Sequence, residues 1–255
     1  MDEKEIRQSL AMKMNSDPTL SVITPTLREA ANIPFFAKEI SSALDPVIPR
    51  WELIIVDDNS QDGTVEACGR LQHKGLPIRL MVRKDKQGLA TAVLDGFKMA
   101  RAKILVVMDA DLSHRGEDIL KLYEAICTGA EFAIGSRYIT GGSTDDKWTV
   151  YRFINSKIAS LLARPLVDVS DPMSGFFAVS RPLLRKSESL SPVGYKIGLE
   201  IIVKCKPHPI KEVPIHFRTR VRGKSKLTLK QQLLYIFHLY NLYRFEGVTS
   251  EKWKW

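Results

Sequence analysis

Asp109 and Asp111 stand one residue apart where the apolar run ILVVM (104–108) gives way to DADLSH (109–114). A carboxylate does not stay ionised in an apolar interior without partners, so a pair closing such a run must meet water, a cation or several hydrogen-bond donors. Two readings fit. In the first, the run has ended and two exposed aspartates open a turn or cap a helix starting near Gly116. In the second, the pair is part of a divalent-cation site, since Mg²⁺ takes one or two carboxylates and leaves its other positions to water and phosphate oxygens.

The elements that would position these residues follow from the hydrophobic pattern. LSVIT (20–24), ELIIV (52–56), IRLMV (78–82) and ILVVM (104–108) are short continuous apolar runs, as expected of strands buried on both faces. Helical spacing fills 31–44, 62–73 and 88–102 between them. Such alternation predicts an α/β fold with βαβ crossovers and a mainly parallel sheet. Ligands of these sheets bind at the carboxyl ends of the strands, which here carry PTLRE (25–29), DDNSQDGT (57–64), RKDKQGLA (83–90) and DADLSH. Each of the four alone is also a good turn or helix start; together they make one polar, carboxylate-rich rim. No GxGxxG follows the first run and no phosphate-loop lysine motif is present, so the usual dinucleotide and P-loop readings are disfavoured.

Composition sets the outer bounds. The 255 residues, 44% hydrophobic and 26% charged, suit one large globular domain or two small ones. Cys68, Cys127 and Cys205 are odd in number and unclustered, which argues against a disulfide framework or a zinc site and fits a reducing compartment. The opening MDEKEIRQ is not followed by an apolar segment, so neither a signal peptide nor a spanning helix is expected. A formal net charge of +9, concentrated between Lys196 and Lys230, fits acidic partners such as nucleotides or phospholipid surfaces. No nucleic-acid module is recognisable, and none is expected to be bound.

Eight segments in order then resemble the family 2 glycosyltransferases, and within them the dolichol-phosphate or polyprenyl-phosphate mannosyltransferases. They are PTLRE (PTYNE in the family), VDDNSQDGT (56–64), GLATA (88–92, for GLGxA), DADLSH, GSRY (135–138), DPMSGFFA (171–178), GYKIGLEIIVK (194–204) and VPIHFRTRVRGKSKL (213–227). The resemblance covers about Leu20 to Leu227. It implies a GT-A (Rossmann-like) fold over 20–227, preceded by a polar arm (1–19) and followed by an amphipathic C-terminal helix and tail (228–255).

What the resemblance implies for function is an inverting, metal-dependent hexosyltransferase, moving mannose from GDP-mannose to dolichyl or polyprenyl phosphate at the cytoplasmic face of a membrane. Pro25, Leu27, Glu29, Val56 and Asp58 match donor-binding positions, Leu27 replacing the family's Tyr with loss of a hydroxyl and a ring. Asp109, Ala110 and Asp111 match the DxD motif that holds Mg²⁺ or Mn²⁺ and the diphosphate, with Ser113 where some relatives place a further metal ligand. Arg220 and Lys226 match donor contacts. Arg137, Arg152 and Ser156 match positions facing the lipid phosphate, and Asp171 lines the catalytic cleft. Arginine suits that role because its planar fork binds two phosphate oxygens, and two residues four apart on a helix share a face.

The segment TLKQQLLYIFHLYNLYRF (228–245) has helical spacing at Leu229, Leu233, Ile236, Phe237 and Tyr240, and Trp253 and Trp255 close the chain. Packing on its own domain and lying in a membrane interface both fit such a helix. A lipid acceptor favours peripheral membrane contact, directly or through a small membrane partner subunit. The alternatives are the same chemistry with UDP-glucose or another sugar nucleotide, and a non-catalytic membrane-attached subunit of the same fold.

Overall fold

The computed structural model describes residues 17–85, 88–145, 150–186, 190, 191, 194, 196–219 and 229–247, with side chains omitted for 150–156, 229 and 230. Nine strands occur among them: β1 (Leu20–Thr26), β2 (Trp51–Asp57), β3 (Ile78–Val82), β4 (Ile104–Val107), β5 (Phe132–Ser136), β6 (Ser143–Thr144), β7 (Phe177–Ser180), β8 (Ile210–Pro214) and β9 (His216–Phe217). The helices are α1 (Ile33–Leu44), α2 (Thr64–His73), α3 (Leu89–Met99), α4 (Asp118–Cys127), α5 (Val150–Ala163), α6 (Arg181–Leu184), α7 (Ile197–Cys205) and α8 (Leu229–Glu246).

Seven strands form one sheet in the order β3-β2-β1-β4-β7-β5-β8. All neighbours run parallel except β7, which is antiparallel to both β4 and β5. The expected α/β architecture is present, and the four apolar runs are β1 to β4. Their continuity has a direct cause: successive residues go to opposite faces, and both faces are covered. Leu53 and Ile55 enter a core with Phe36 and Ile40 of α1 and Ile119 of α4, while Ile54 and Val56 enter a second core with Val93 and Phe97 of α3 and Leu239 and Leu242 of α8. Strand β3 is the exception; as an edge strand it is only half-buried.

The reversed strand shapes the rim. Phe177 pairs with Val107, so β7 begins where β4 ends, and the segment DPMSGF ahead of it lies beside the aspartates that follow β4. Arg137 follows β5 and His216 follows β8 at the same end of the sheet. Gly142 lets the chain double back after β5: a Cβ there would lie 2.6 Å from Ser136 O and 2.8 Å from the Arg137 carbonyl carbon.

Helix α8 forms where expected, but its inward residues are Tyr235, His238, Leu239 and Leu242, whereas Leu233, Ile236, Phe237 and Tyr240 are exposed. The helix is thus apolar on two sides rather than on one stripe. On its inner side Tyr235, Leu239 and Leu242 are part of the second core. His238, a polar interruption in the sequence pattern, is buried with Nε2 3.3 Å from Glu200 Oε2 of α7.

At the opposite end of the sheet, buried Glu52 ties three elements together. It accepts from Ser21 Oγ (2.7 Å), Arg101 N (2.8 Å) and Arg79 NH1 (3.0 Å). Burial alone would raise its pKa, but these donors, Ser21 foremost, outweigh burial and hold the carboxyl below its usual range. A depressed carboxylate pKa contributes stability above the unfolded value and loses it as pH falls through the folded one. Glu52→Ala strands the donors Ser21 Oγ and Arg101 N and is therefore expected to cost about 1–3 kcal/mol at neutral pH. Its deficit against the parent in urea unfolding should shrink below pH ~4.

Candidate active site

The rim is assembled by hydrogen bonds from residues the strands deliver. Met108 N donates to Ile23 O (3.0 Å), so the chain leaves β4 abreast of Thr24 and Pro25. Asp57, at the end of β2, accepts from Thr26 Oγ1 (3.0 Å) and Ser60 N (2.8 Å), while Ser60 Oγ accepts from Arg28 N (2.7 Å). Asp62 receives Ala30 N (3.0 Å), Thr64 N (3.1 Å) and Thr64 Oγ1 (2.6 Å); burial opposes its charge, but these donors prevail and lower its pKa. The loops after β1 and β2 are thereby locked together. Glu29 faces its own helix start, accepting Asn32 Nδ2 at 2.7 Å, and Leu27 is exposed.

Two expected donor contacts have specific surroundings. The Val56 side chain is wholly buried in the core, so only its main chain can reach a ligand. Asp58 is engaged by Arg83, whose Nε donates at 2.7 Å with NH2 also bonded to the same oxygen, and by Gly88 N at 2.7 Å. Arg83 is itself buried and reaches Thr91 Oγ1 (2.9 Å) and Asp95 (3.3 Å). Within RKDKQG it gave no sign of burial, because an arginine after a strand is ordinarily solvated.

After β4 the backbone turns sharply, with Leu112 at φ 63°. Asp111 accepts both Ser113 N (3.1 Å) and Ser113 Oγ (2.5 Å), so these two side chains converge. Asp109 Oδ2 lies 3.8 Å from where a Gly175 Cβ would stand, which puts the first aspartate against the segment ahead of β7. Ala110 is buried beneath the pair. His114 is also buried, its ring 4.6 Å from Phe176 and 5.0 Å from Phe217, a packing role. Among the described residues no three His, Cys, Asp or Glu side chains converge as a protein cage for a metal. Two rim carboxylates with a serine hydroxyl instead fit a hard cation of the Mg²⁺ type, which shares its coordination with water and phosphate.

Asp171 and Arg137 are paired. Arg137 Nε donates to Oδ2 (2.6 Å), NH2 to Oδ1 (2.7 Å) and the Arg137 amide to Oδ2 (3.1 Å). Asp171 is fully buried and the Arg137 side chain is 9% exposed. Burial works against the guanidinium charge, yet the Asp171 bonds outweigh it and raise the arginine's pKa. Asp171 is therefore committed to orienting Arg137. The guanidinium also lies 5.4 Å from the Phe217 ring centre.

Lys196, just ahead of α7, is a member of this cluster that sequence reasoning did not single out. Its Nζ donates to Met173 O at 2.5 Å. Burial, then the charge of Arg137, pull its ammonium down to about 8, against the opposing pull of Asp171 and Asp109. Its only sequence signal was a lysine opening the apolar run KIGLEIIVK. Arg152 and Ser156 lie on α5, one turn apart, within the stretch whose side chains are not described. Arg220 and Lys226 lie outside the described residues.

Against this geometry stand the relatives. Residues 21–187 match the family model described as glycosyl transferase family 2. A protein named dolichol-phosphate mannosyltransferase from Mycosarcoma maydis is 40% identical over 242 residues, covering 92% of this chain and 82% of the relative. The namesake from Pyrococcus furiosus is 41% identical, covering 89% of this chain and 64% of its own. A polyprenol monophosphomannose synthase from Mycolicibacterium smegmatis is 33% identical, over 81% and 80%. Glucosyl-3-phosphoglycerate synthase of Mycobacterium tuberculosis, solved with Mn²⁺ and UDP, shares the fold at TM-score 0.65 with 19% identity, covering 95% of this chain and 84% of that one.

Removing one partner of a buried pair strands the other, at about 3–5 kcal/mol, whereas replacing both by apolar side chains is often neutral. Asp171→Leu is thus expected to lower urea-unfolding stability by that amount, and Asp171→Leu with Arg137→Met to recover most of it. Recovered stability without recovered activity in the double variant would separate the pair's chemical role from its structural one.

Proposed function

We propose, on the premise that the chain belongs to glycosyl transferase family 2 and to its dolichol- and polyprenol-phosphate mannosyltransferase branch, that it takes mannose from GDP-mannose to a polyprenyl phosphate, with inversion, at the cytoplasmic face of a membrane. The observation that carries this reading is the meeting of two opposed charge sets on one rim: Asp109 and Asp111 after β4, and Arg137, bonded to Asp171, with Lys196, which feels the charges of both Asp171 and Asp109. A sugar nucleotide brings a diphosphate and a lipid brings a monophosphate, and each needs its own positive partner.

On the donor side, Asp109, Asp111 and Ser113 would hold Mg²⁺ or Mn²⁺, which when bound neutralises charge developing on the diphosphate. Pro25, Leu27, Glu29, Asp58 and the Val56 main chain border the nucleotide end, and Arg220 and Lys226 are given donor contacts by the family match of their segment. On the acceptor side Arg137, with Arg152 and Ser156 of α5, receives the phosphate. A phosphate monoester has a second pKa near ~6, so its oxygen is already a nucleophile at neutral pH. It forms the new bond to the anomeric carbon as the bond to the diphosphate oxygen breaks. No strong base is required, consistent with Asp171 being held by Arg137 rather than poised to take a proton.

A panel of nucleotide-sugars, UDP-glucose included, with short polyprenyl phosphates tests the reading. Turnover is expected with GDP-mannose, lost on chelation, and reduced on the order of 100-fold or more by Asp109→Asn or Asp111→Asn in folded protein. Preference for a UDP-sugar would overturn the donor, and EDTA-insensitive turnover the metal.

Membrane contact has a structural candidate. Tyr235 Oη donates to Ala159 O (2.6 Å) and Tyr243 Oη to Leu162 O (2.7 Å), joining α8 to α5. Both helices expose apolar side chains: Leu233 and Phe237 on α8, Ile158 and Leu161 on α5. Among the described residues no helix is long and apolar enough to cross a membrane. An apolar surface shared by two helices, in a chain of net charge +9, suits an anionic headgroup boundary. The protein is expected to co-sediment with anionic vesicles, less at high salt, and Phe237→Asp with Leu161→Asp to lose most of that binding while nucleotide affinity persists. Sedimentation unchanged by these substitutions would reject this surface, and none by the parent would favour a membrane partner subunit.

A further inference from the structure

The acceptor-side segment after Arg137 and the strand leading towards Arg220 meet in a ladder of only two residues on each side. Ser143 pairs with His216 and Thr144 with Phe217, in parallel. Two main-chain bonds hold it: Ser143 N to Ile215 O and Asp145 N to Phe217 O, both 3.0 Å. So short a parallel pairing is weak by itself. Side chains reinforce it. His216 Nδ1 lies 2.8 Å from Ser143 Oγ, His216 Nε2 lies 2.9 Å from Asp145 Oδ1, and Asp145 Oδ2 accepts Thr219 N at 2.5 Å. That amide is the foremost cause of a lowered Asp145 pKa, ahead of the Thr219 and His216 side chains.

The same strand is fastened on its other side. Arg218 N donates to Ser113 O (2.8 Å), two residues beyond Asp111, and Arg218 NH1 pairs with Glu39 at 3.1 Å. Residues 215–219 therefore run between the metal-side loop and the segment linking Arg137 to α5. A serine, histidine and aspartate in a row could also suggest a nucleophile, but the Ser143 amide is spent on Ile215 O and offers no oxyanion donor.

We propose that His216 and Asp145 are positioning residues, a latch that sets the spacing between the acceptor-phosphate side and the Asp109–Ser113 loop. The proposal rests on the reading of Arg137 and α5 as the acceptor side. Neutral imidazole satisfies both contacts, Nε2–H donating to Asp145 and Nδ1 accepting from Ser143. Imidazolium satisfies them as well, donating from both nitrogens. The action of the latch is geometric: small misplacement of reacting groups costs on the order of 10–100-fold in rate.

The test compares His216→Phe, His216→Gln and Asp145→Ala with the parent, each checked for folding by its thermal transition. Glutamine can still donate to Asp145; phenylalanine cannot. His216→Phe and Asp145→Ala are expected to lower kcat roughly 10-fold or more. The acceptor KM should rise, GDP–Mn²⁺ affinity measured without acceptor should stay within about 2-fold, and His216→Gln should restore most of the loss. Hydrogen exchange reads the latch without any substrate: the Ser143, Asp145 and Thr219 amides should exchange at least ~10-fold faster in His216→Phe. Unchanged exchange would overturn the latch, as would a fall in nucleotide affinity matching the fall in turnover, or a glutamine variant as impaired as phenylalanine. A parent that transfers to no polyprenyl phosphate would instead reject the acceptor reading, with the exchange result still deciding the latch.

Discussion

A carboxylate with no solvent exposure can remain ionised only if a cation or several hydrogen-bond donors are held against it, and in this chain that constraint binds Asp171 to Arg137. The two come from different strands: Arg137 follows β5, and Asp171 precedes β7. Their three hydrogen bonds fix where the loop after β5 sits relative to the segment that passes Asp109. Lys196 joins from α7 by bonding the Met173 carbonyl in the same segment. A break in the central pair would leave both sides of the cleft without a common reference.

The site consequently separates its charges by element. Carboxylates follow β4, where the parallel strands end; cations come from β5 and from α7, beyond the reversed strand. This division suits a reaction with two phosphate-bearing substrates. It also explains why Asp171, though buried in the cleft, serves orientation. Its oxygens are spent on Arg137, and a phosphate acceptor brings a nucleophilic oxygen of its own.

Helix α8 joins two demands in one element. Its inner side, Tyr235, Leu239 and Leu242, completes the core over α3 and α7, while its outer side leaves Leu233, Ile236 and Phe237 in solvent. The usual compromise for a surface helix is one apolar face. A second is costly in water, so the same helix that stabilises the domain also carries exposed apolar side chains that the fold itself does not require.

The strands, their order of appearance and the rim were legible in the sequence. Continuous runs such as ELIIV can only be satisfied by burial on both faces, and polar segments after them mark the end where ligands bind. The identity of the family was legible too, since eight segments match in order and in type. Tertiary structure decided what local pattern cannot carry. Strand β7, four residues long, runs against its neighbours, and only that reversal lays Gly175 beside Asp109. The burial of Arg83 and of His114 depends on partners 25 and 62 residues away, Asp58 and Phe176. Which side of α8 faces inward was likewise fixed by α5 and α7, because a helix apolar on two sides has no preferred face until its neighbours are in place.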